Sequence, residues 1–539
     1  MRSLGVVAVI AALFGLPAAG DAIAADAGRL LSAPVRTSDG LVSGVPGKAK
    51  GVAVFKGIPF GAPPTGDLRW KPAQPMAPWD GVRAADKFGP ACMQPHQRER
   101  EPNNRAVDLP DSPQVGEDCL YLNVWTPASS SNARLPVMVW IFGGAYTEGA
   151  GSSPYNQGET LAPKGVVVVS FNYRVGSLGF LAHPELTAES PHHASGNYAL
   201  TDVLAALQWV QHNIAAFGGN PANVTIFGES AGAAIASALV GSPPAKGLFQ
   251  RAISESGTWM GLNLAPMRSR ESAEQQTVKA ATQLGASSLA ALRALSADDA
   301  ANKLPKQGMI VDGWVIPEDL ARTFAEKRQN PVDILVGSNR DEGSFAAGFG
   351  PPMTAQRWKD TAEQRWGTLA ELGLKAYPAA DDAQAAANNI GMFADNMAWI
   401  SRLYAAQQRA IGKRAYVYHF AYEPPYAPGA RNLGVCHTCE LPYVFDNLAT
   451  LRLYPDASSP ELAQASAADI QLAKTVSQYW INFAGTGDPN GRGLPKWPQF
   501  ESLSKGPVLE IAKVPVVGDS LGPDKGKLYE GLYERQMSR

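Results

Sequence analysis

After its first residues, the sequence lacks any apolar run long enough to cross a bilayer. It also lacks an excess of charge of either sign, with 47 basic against 49 acidic residues, a net charge of −2 and a pI of about 6.4. A near-neutral chain gives no electrostatic reason to bind nucleic acid or an anionic membrane. We therefore expect no membrane span and no nucleic-acid partner, whereas the composition says nothing about the oligomeric state.

The one apolar stretch at the N terminus has the features of a secretory signal. Arg2 supplies a positive start, Leu4 to Leu16 form an apolar core, and Ala22-Ile23-Ala24 is a cleavage site of the A-x-A type. The alternative is a buried N-terminal helix. We assign residues 1–25 to a signal peptide and expect an exported protein, either periplasmic or extracellular.

Cysteine is scarce, and its spacing argues against a zinc site. The four cysteines are Cys92, Cys119, Cys436 and Cys439, and the first two are too far apart to form a ligand knuckle. An even number in an exported protein suggests two disulfides. Sequence alone permits three pairings, of which two local pairs are the simplest.

Residues 26–539 lack the linkers, charge blocks and internal repeats that divide chains into domains. The length would suffice for three average domains, but we expect a single large domain with insertions.

Apolar patterning predicts an α/β fold. The continuous runs Val137–Phe142 and Val166–Phe171 are typical of parallel strands covered on both faces. Apolar residues at helical spacing from Leu200 to Phe217 then precede a third strand, Asn223–Phe227. A strand, a crossover helix and a second strand form the βαβ unit of a parallel sheet.

The flanking regions complete this prediction. Segments rich in β-formers between Val35 and Phe60 predict a small N-terminal antiparallel sheet. Helical regions at about 268–304 and 355–411 alternate with strands at 333–336 and 415–422, and further strand and helix patterns close the chain. Such helical insertions either form a cap over a binding cleft or only pack against the sheet.

A candidate nucleophile lies between the third strand and the next helix. Gly228-Glu229-Ser230-Ala231-Gly232 fits the G-x-S-x-G elbow, which places a serine hydroxyl on a strained turn. Gly518–Gly522 fits the same five-residue pattern around Ser520, but Pro523 follows and no apolar-periodic helix begins there. The strand before Ser230 and the helix from Ala231 to Val240 make Ser230 the candidate.

A serine nucleophile needs a general base and a third group that orients the base. In the α/β-hydrolase order, Ser is followed by Asp or Glu and then His. His419 lies within a predicted strand, whereas His437 lies in a loop, which favours His437 as the base. Asp341 and Glu342 follow a strand at the right place for the acid, and spacing does not choose between them. Both could instead be surface charges beside Arg340.

The developing oxyanion of acyl transfer needs backbone N–H donors. The glycine-rich loop Phe142–Tyr146 follows a buried strand and exposes its amides. Together with the amide of Ala231, directly after the nucleophile, it predicts an oxyanion hole.

These residues give the chain a resemblance to the type-B carboxylesterases, which include cholinesterases and bacterial p-nitrobenzyl esterases. The resemblance spans nearly the whole mature chain in family order. It is carried by seven stretches: Phe55–Trp70, Glu117–Trp125, Phe142–Tyr146, Asn172–Gly176, Gly196–Gly232, Asp341–Phe345 and His437–Phe445. The resemblance implies an α/β-hydrolase fold, with a large and mostly parallel sheet flanked by helices and helical cap insertions.

The resemblance also assigns roles to residues. It implies a catalytic triad of Ser230, Glu342 and His437, thereby selecting Glu342 over Asp341. It implies oxyanion donors at Gly144, Ala145 and Ala231, with Glu229 and Ser256 behind the catalytic residues. It further implies a Cys92–Cys119 disulfide and two ion pairs, Arg69–Glu117 and Arg174–Asp202.

The chain departs from the family pattern in three places. Ala145 stands where cholinesterases have a third glycine, but it still offers an amide. The loop between Cys92 and Cys119 has no tryptophan, so choline esters are not expected as substrates. Cys436-His437-Thr438-Cys439 brackets the candidate base with cysteines, and we expect a local disulfide there, the alternative being two free buried thiols.

The predicted reaction is hydrolysis of a small-molecule carboxylic ester through an acyl-enzyme, with no cofactor or metal. One alternative keeps this chemistry and narrows the substrate to a bulky natural-product or mycotoxin ester. The other is a non-catalytic adhesion or binding protein on the same fold. Tyr146 and Trp259 could line the substrate pocket or belong to the core.

Overall fold

The computed structural model describes residues 32–95, 114–259, 266–346, 352–448, 463–504, 506–518 and 521–538. The predicted signal peptide, residues 1–25, and the second elbow-like serine, Ser520, lie outside the described residues.

Strands of the described chain form one large sheet and three small ones. In chain order they are β1 (Val35–Arg36), β2 (Leu41–Ser43), β3 (Val45–Pro46), β4 (Ala53–Pro59), β5 (Val82–Ala84), β6 (Ala91–Cys92), β7 (Val115–Gly116), β8 (Tyr121–Thr126), β9 (Leu135–Ile141), β10 (Val167–Phe171), β11 (Gly219–Glu229), β12 (Arg251–Glu255), β13 (Arg268–Ser269), β14 (Ile310–Val311), β15 (Asp333–Asn339), β16 (Ala415–Phe420), β17 (Val508–Ile511) and β18 (Val516–Gly518).

The large sheet has the strand order β18-β17-β16-β15-β12-β11-β9-β10-β8-β4-β3 in the described chain. Its centre, from β10 to β17, is parallel, and the remaining pairs at both edges are antiparallel. Strands β9 and β10 are apolar and buried almost throughout, as expected for a sheet covered on both faces. The α/β prediction is confirmed.

Helices cover this sheet. In chain order the described ones are α1 (Gly176–Phe180), α2 (Pro184–Glu189), α3 (Tyr198–Asn213), α4 (Ala231–Val240), α5 (Arg270–Gln283), α6 (Leu289–Arg293), α7 (Ala297–Lys303), α8 (Leu320–Ala325), α9 (Ala355–Asp360), α10 (Ala362–Trp366), α11 (Ala370–Ala376), α12 (Asp382–Arg409), α13 (Leu441–Val444), α14 (Ala467–Thr486) and α15 (Pro523–Met537). Helix α4 packs on β11 and β12, α14 on β9 and β11, and α12 on β15 and β16. Within the described ranges, every helix is too short or too polar to span a bilayer.

The N-terminal prediction needs a correction. The small sheet consists of β1, β2 and β5, and although β1–β2 is antiparallel, β2–β5 is parallel. Strands β3 and β4 belong to the large sheet, since β4 pairs with β8. The physical reason is the apolar character of β4, five of whose seven residues are buried, so that it is stable only when both of its faces are covered.

Two ion pairs, one fully buried and one partly exposed at Glu117, tie loops to this framework. Arg69 Nη2 lies 2.6 Å from Glu117 Oε2, and Arg174 Nη2 lies 2.6 Å from Asp202 Oδ1. Both arginines also donate through Nε, which makes each contact a two-pronged fork. The two pairs expected from the family resemblance are therefore present in the structure.

Candidate active site

The turn that carries Ser230 is sharp and strained. Strand β11 ends at Glu229 and helix α4 begins at Ala231, so a single residue reverses the chain direction. Ser230 has φ 55° and ψ −123°, a conformation that costs about 1–3 kcal/mol for a residue with a side chain. A Cβ on Gly228 or Gly232 would lie 2.5 or 2.0 Å from the carbonyl oxygen of Ile141. Both glycines are therefore required for the elbow to pack against β9.

The loop that carries His437 is tied to the end of β15. Asp341 Oδ2 accepts a hydrogen bond of 2.7 Å from the amide of Val435. The side-chain amide of Asn339 donates to the carbonyl oxygen of Cys436 at 2.8 Å. These contacts hold the backbone on the N-terminal side of the imidazole.

Glu342 is the acid that contacts this imidazole. It opens a short 3₁₀-helix, Glu342–Ala346, directly after β15. Its Oε2 lies 2.6 Å from Nδ1 of His437, and its Oε1 accepts the N–H of Asn339 at 2.7 Å. Both carboxylate oxygens are thus engaged, and the side chain is fully buried. Asp341, which spacing alone did not distinguish from Glu342, instead binds Arg340 and the His437 loop.

The other imidazole nitrogen faces a second carboxylate. Nε2 of His437 lies 3.1 Å from Oε1 of Glu229, the residue immediately before Ser230. Burial by itself lowers the pKa of His437, but the charges of Glu229 and Glu342 outweigh it and raise the pKa above its ordinary value of 6.5. Burial in turn raises the pKa of Glu229 above its ordinary value, and the charge of His437 opposes that rise. The arrangement stabilises an imidazolium at His437, which is the charge that a general base acquires.

The glycine-rich loop after β9 reaches Ser230. A Cβ on Gly143 would lie 3.1 Å from Cβ of Ser230, so this loop and the elbow are in direct contact. Gly144 and Ala145 both have positive φ, 107° and 51°. Among the described residues, neither amide donates a hydrogen bond to a protein acceptor. Ala231, the first residue of α4, likewise has no intrahelical acceptor for its N–H.

Sequence reasoning missed two buried acids near this centre, Glu440 and Glu255. Glu440 accepts hydrogen bonds from the side-chain amide of Asn339 and, at 3.3 Å, from Oγ of Ser256. Burial, followed by the charge of Glu342, raises the pKa of Glu440 to about 7.

Glu255 accepts a 2.7 Å hydrogen bond from the indole of Trp480, and burial raises its pKa well above the ordinary value. The position of Glu440, three residues after His437, was the available signal. Ser256 thus contacts Glu440, and this side-chain hydrogen bond does not involve Ser230, Glu342 or His437.

The remaining sequence candidates lie in the core or at its margin. His419 is on β16, where burial lowers its pKa, and it stays outside the contacts described above. Trp259 is buried and stacked on Phe324 with ring centroids 4.8 Å apart. Tyr146 packs edge-on against Phe180 and remains partly exposed beside the glycine-rich loop.

The four cysteines form two local pairs. The Sγ atoms of Cys92 and Cys119 are 2.01 Å apart, and those of Cys436 and Cys439 are 2.23 Å apart. The second pair encloses His437, and the hydroxyl of Tyr426 lies 3.8 Å from each of its sulfur atoms. Between the two cysteines, Thr438 adopts φ 72°, which is unusual for a β-branched residue.

Comparison with known proteins matches the chain to a family model described as "Carboxylesterase family" over residues 32–527. A fumonisin B1 esterase of Sphingopyxis macrogoltabida is 37% identical over 91% of this chain and 88% of its own length. The para-nitrobenzyl esterase of Bacillus subtilis (strain 168) is 34% identical over 92% of this chain and 98% of its own. Liver carboxylesterase 1F of Rattus norvegicus is 35% identical over 87% of this chain and 88% of its own length.

A solved structure of a PNB esterase superposes with a TM-score of 0.78 at 32% identity. The match covers 92% of this chain and 99% of the solved one.

Proposed function

The chain belongs to the carboxylesterase family and hydrolyses carboxylic esters, and we propose that it does so through an acyl-enzyme on Ser230. In this proposal His437 is the general base, Glu342 orients it, and the amides of Gly144, Ala145 and Ala231 bind the oxyanion. The observation that carries the proposal is the contact of His437 with two carboxylates, at 2.6 Å to Glu342 and at 3.1 Å to Glu229, the residue directly before Ser230 on its strained elbow. The chemistry uses side chains and backbone alone.

The proposed cycle has two halves that share one proton carrier. Oγ of Ser230 attacks the acyl carbon while Nε2 of His437 takes the hydroxyl proton, and the carbonyl oxygen becomes an oxyanion. His437 then passes the proton to the leaving alcohol, which leaves the acyl group on Ser230. Water repeats the sequence and releases the acid. Glu342 and Glu229 stabilise the imidazolium in both halves, since each lies within 3.1 Å of a ring nitrogen.

The test replaces Ser230 by alanine and uses Ser520→Ala as the matched control, because Ser520 lies in the same five-residue pattern. Ser230→Ala should lower kcat by at least about 10³-fold with an unchanged circular dichroism spectrum, and Ser520→Ala should leave it unchanged. A fluorophosphonate should label the wild-type chain once, on the peptide containing Ser230. Undiminished turnover of Ser230→Ala would end the assignment.

As a second proposal, the natural substrate is a bulky natural-product ester. Support comes from the similarity to a fumonisin B1 esterase over 91% of the chain. A panel that varies acyl length, alcohol bulk and charge tests it: kcat/KM should rise with the bulk of the ester. A preference for small acetate esters would contradict this proposal without affecting the first.

We also infer export, with residues 1–25 removed and residues 26–539 forming a single domain. The family match beginning at residue 32 supports this boundary, since it leaves the N-terminal segment outside the family region. N-terminal sequencing of protein recovered from the periplasm or medium should begin near Asp26. Recovery of the intact N terminus from the cytoplasm would refute it.

A further inference from the structure

A cavity of about 370 Å³ lies between helices α10, α12 and α15. That volume is within the range of small-molecule binding sites, about 300–1,000 Å³. Its walls combine apolar side chains, among them Trp366, Phe393 and Leu532, with polar groups from Arg365, Arg535 and Gln536. The described lining residues include no aspartate or glutamate.

The two arginines carry positive charge that no described carboxylate neutralises. Arg365 donates to the carbonyl oxygen of Trp358 at 3.3 Å and to Oγ1 of Thr361 at 2.7 Å, and its guanidinium lies 3.9 Å from the ring centroid of Trp358. Arg535 donates to the carbonyl oxygen of Trp366 at 2.6 Å. Because a guanidinium has five N–H donors, both arginines retain donors for a ligand.

Two further observations indicate that polar groups at this cavity lack partners within the described part of the protein. Burial, together with the nearby charge of Arg357, lowers the pKa of Arg365 from its ordinary value, as expected where positive charge is uncompensated. Within the described chain, neither amide atom of Gln536 has a hydrogen-bond partner, although both atoms are buried. Buried polar groups are normally satisfied, so an unsatisfied amide beside a cavity indicates a missing partner.

We propose that this cavity binds a carboxylate that has an apolar body. A planar guanidinium matches a carboxylate with two parallel hydrogen bonds, and the aromatic and aliphatic walls accommodate a chain or a ring. The proposal rests on the ester hydrolysis described above, since each turnover releases a ligand of this class, a carboxylic acid.

Helix α12 also links the cavity to the candidate acid. A Cβ on Gly343, the residue after Glu342, would lie 2.3 Å from the carbonyl oxygen of Ile390. Phe393, one turn further along α12, lines the cavity. The site is therefore a place where the acid product, or a free acid of the same kind, can be held one helix away from the reacting groups.

The experiment titrates octanoate into the full chain carrying Ser230→Ala, followed by calorimetry and by tryptophan fluorescence, since Trp366 lines the cavity. Octanol, which lacks the charge, and acetate, which lacks the apolar body, serve as control ligands. Octanoate should bind at least about 10-fold more tightly than either. Arg365→Met and Arg535→Met should each weaken it about 10-fold, and Arg535→Lys about threefold, because lysine keeps the charge but not the fork.

Arg134→Met is the matched control, since Arg134 is exposed and donates only to Asn220 among the described residues. Octanoate binding should be unaffected there. Equal affinity for octanol, or octanoate binding that survives both arginine replacements, would overturn the proposal.

If Arg535→Met fails to fold, Arg535→Lys and the comparison of octanoate with octanol still test the carboxylate-binding proposal. The host variant tests the two proposals separately. Full activity of Ser230→Ala would remove the catalytic assignment and leave the octanoate result standing.

Discussion

Replacing Cys436 and Cys439 by serine together should impair catalysis more than stability, whereas the same replacement at Cys92 and Cys119 should do the reverse. Cys436 and Cys439 are 3 residues apart in the sequence, whereas Cys92 and Cys119 are 27 residues apart. Loop-closure entropy then gives about 2 kcal/mol of stabilisation for the short loop and about 3.5 kcal/mol for the long one.

The catalytic effect follows from where the short loop lies. It encloses His437 and imposes φ 72° on Thr438, a conformation that costs about 1–3 kcal/mol. Without the disulfide, no covalent link opposes the relief of that cost, so the turn should relax in an appreciable fraction of molecules. Two backbone contacts, to Asp341 and Asn339, remain. Because displacing a catalytic group by about 1 Å can cost about 100-fold, partial displacement should lower kcat by about 10-fold.

The assay compares kcat, the thermal midpoint and the urea midpoint of both double variants with the wild type. Thr438→Gly in the Cys436/Cys439 variant supplies a rescue, because glycine adopts positive φ without strain. Recovery of most of the lost kcat is expected there. Unchanged kcat on removing the short loop's disulfide, or a larger stability loss than for the long loop, would refute the reasoning. Titration of unreduced, denatured protein should find no free thiols.

Three further predictions follow from other contacts. Glu229→Gln removes a charge that raises the pKa of His437. If the neutral imidazole is the base, as proposed, the acid limb of the kcat/KM profile should move to lower pH. A limb that stays in place would show that Glu229 does not act on His437. Glu342→Gln should lower kcat by about 10³-fold or more, whereas Asp341→Asn should cost less than about 10-fold, and equal losses would contradict the distinction between them. Gly391→Ala, inside α12 with no described atom within 4 Å of the added Cβ, should raise the free energy of unfolding by about 0.5–1 kcal/mol in urea titration, and a decrease would mean that the site is not open.

Patterns that depend on local apolar spacing were read correctly from the sequence. The run at Val137–Phe142 became β9, the strand ending at Glu229 and the helix Ala231–Val240 have the expected order, and the long helical regions became α5 to α7 and α9 to α12. These succeed because a buried strand or helix must have an apolar surface, which the sequence states directly.

Features that depend on three-dimensional neighbours could not be predicted in this way. Asp341 and Glu342 are adjacent acids that spacing does not distinguish; the family resemblance favours Glu342, and the fold shows that Glu342 meets the imidazole and Asp341 the loop backbone. Glu440 and Glu255 look like surface charges, since a buried carboxylate is recognised only by its partners, Asn339, Ser256 and Trp480. Strands β3 and β4 were assigned to the small N-terminal sheet instead of the large one because strand pairing is non-local.

The contact of Gly228 and Gly232 with the carbonyl oxygen of Ile141 has a consequence for how substrate preference can change, whether in nature or in directed evolution. Any side chain at either position would push strand β9 away, and β9 leads directly into the loop of Gly143 to Ala145. A mutation there would move Ser230 and the amides of Gly144 and Ala145 at once. We therefore expect randomised libraries to return glycine alone at both positions, and we expect selectable variation to accumulate at side chains such as Tyr146, which borders the loop without supporting it.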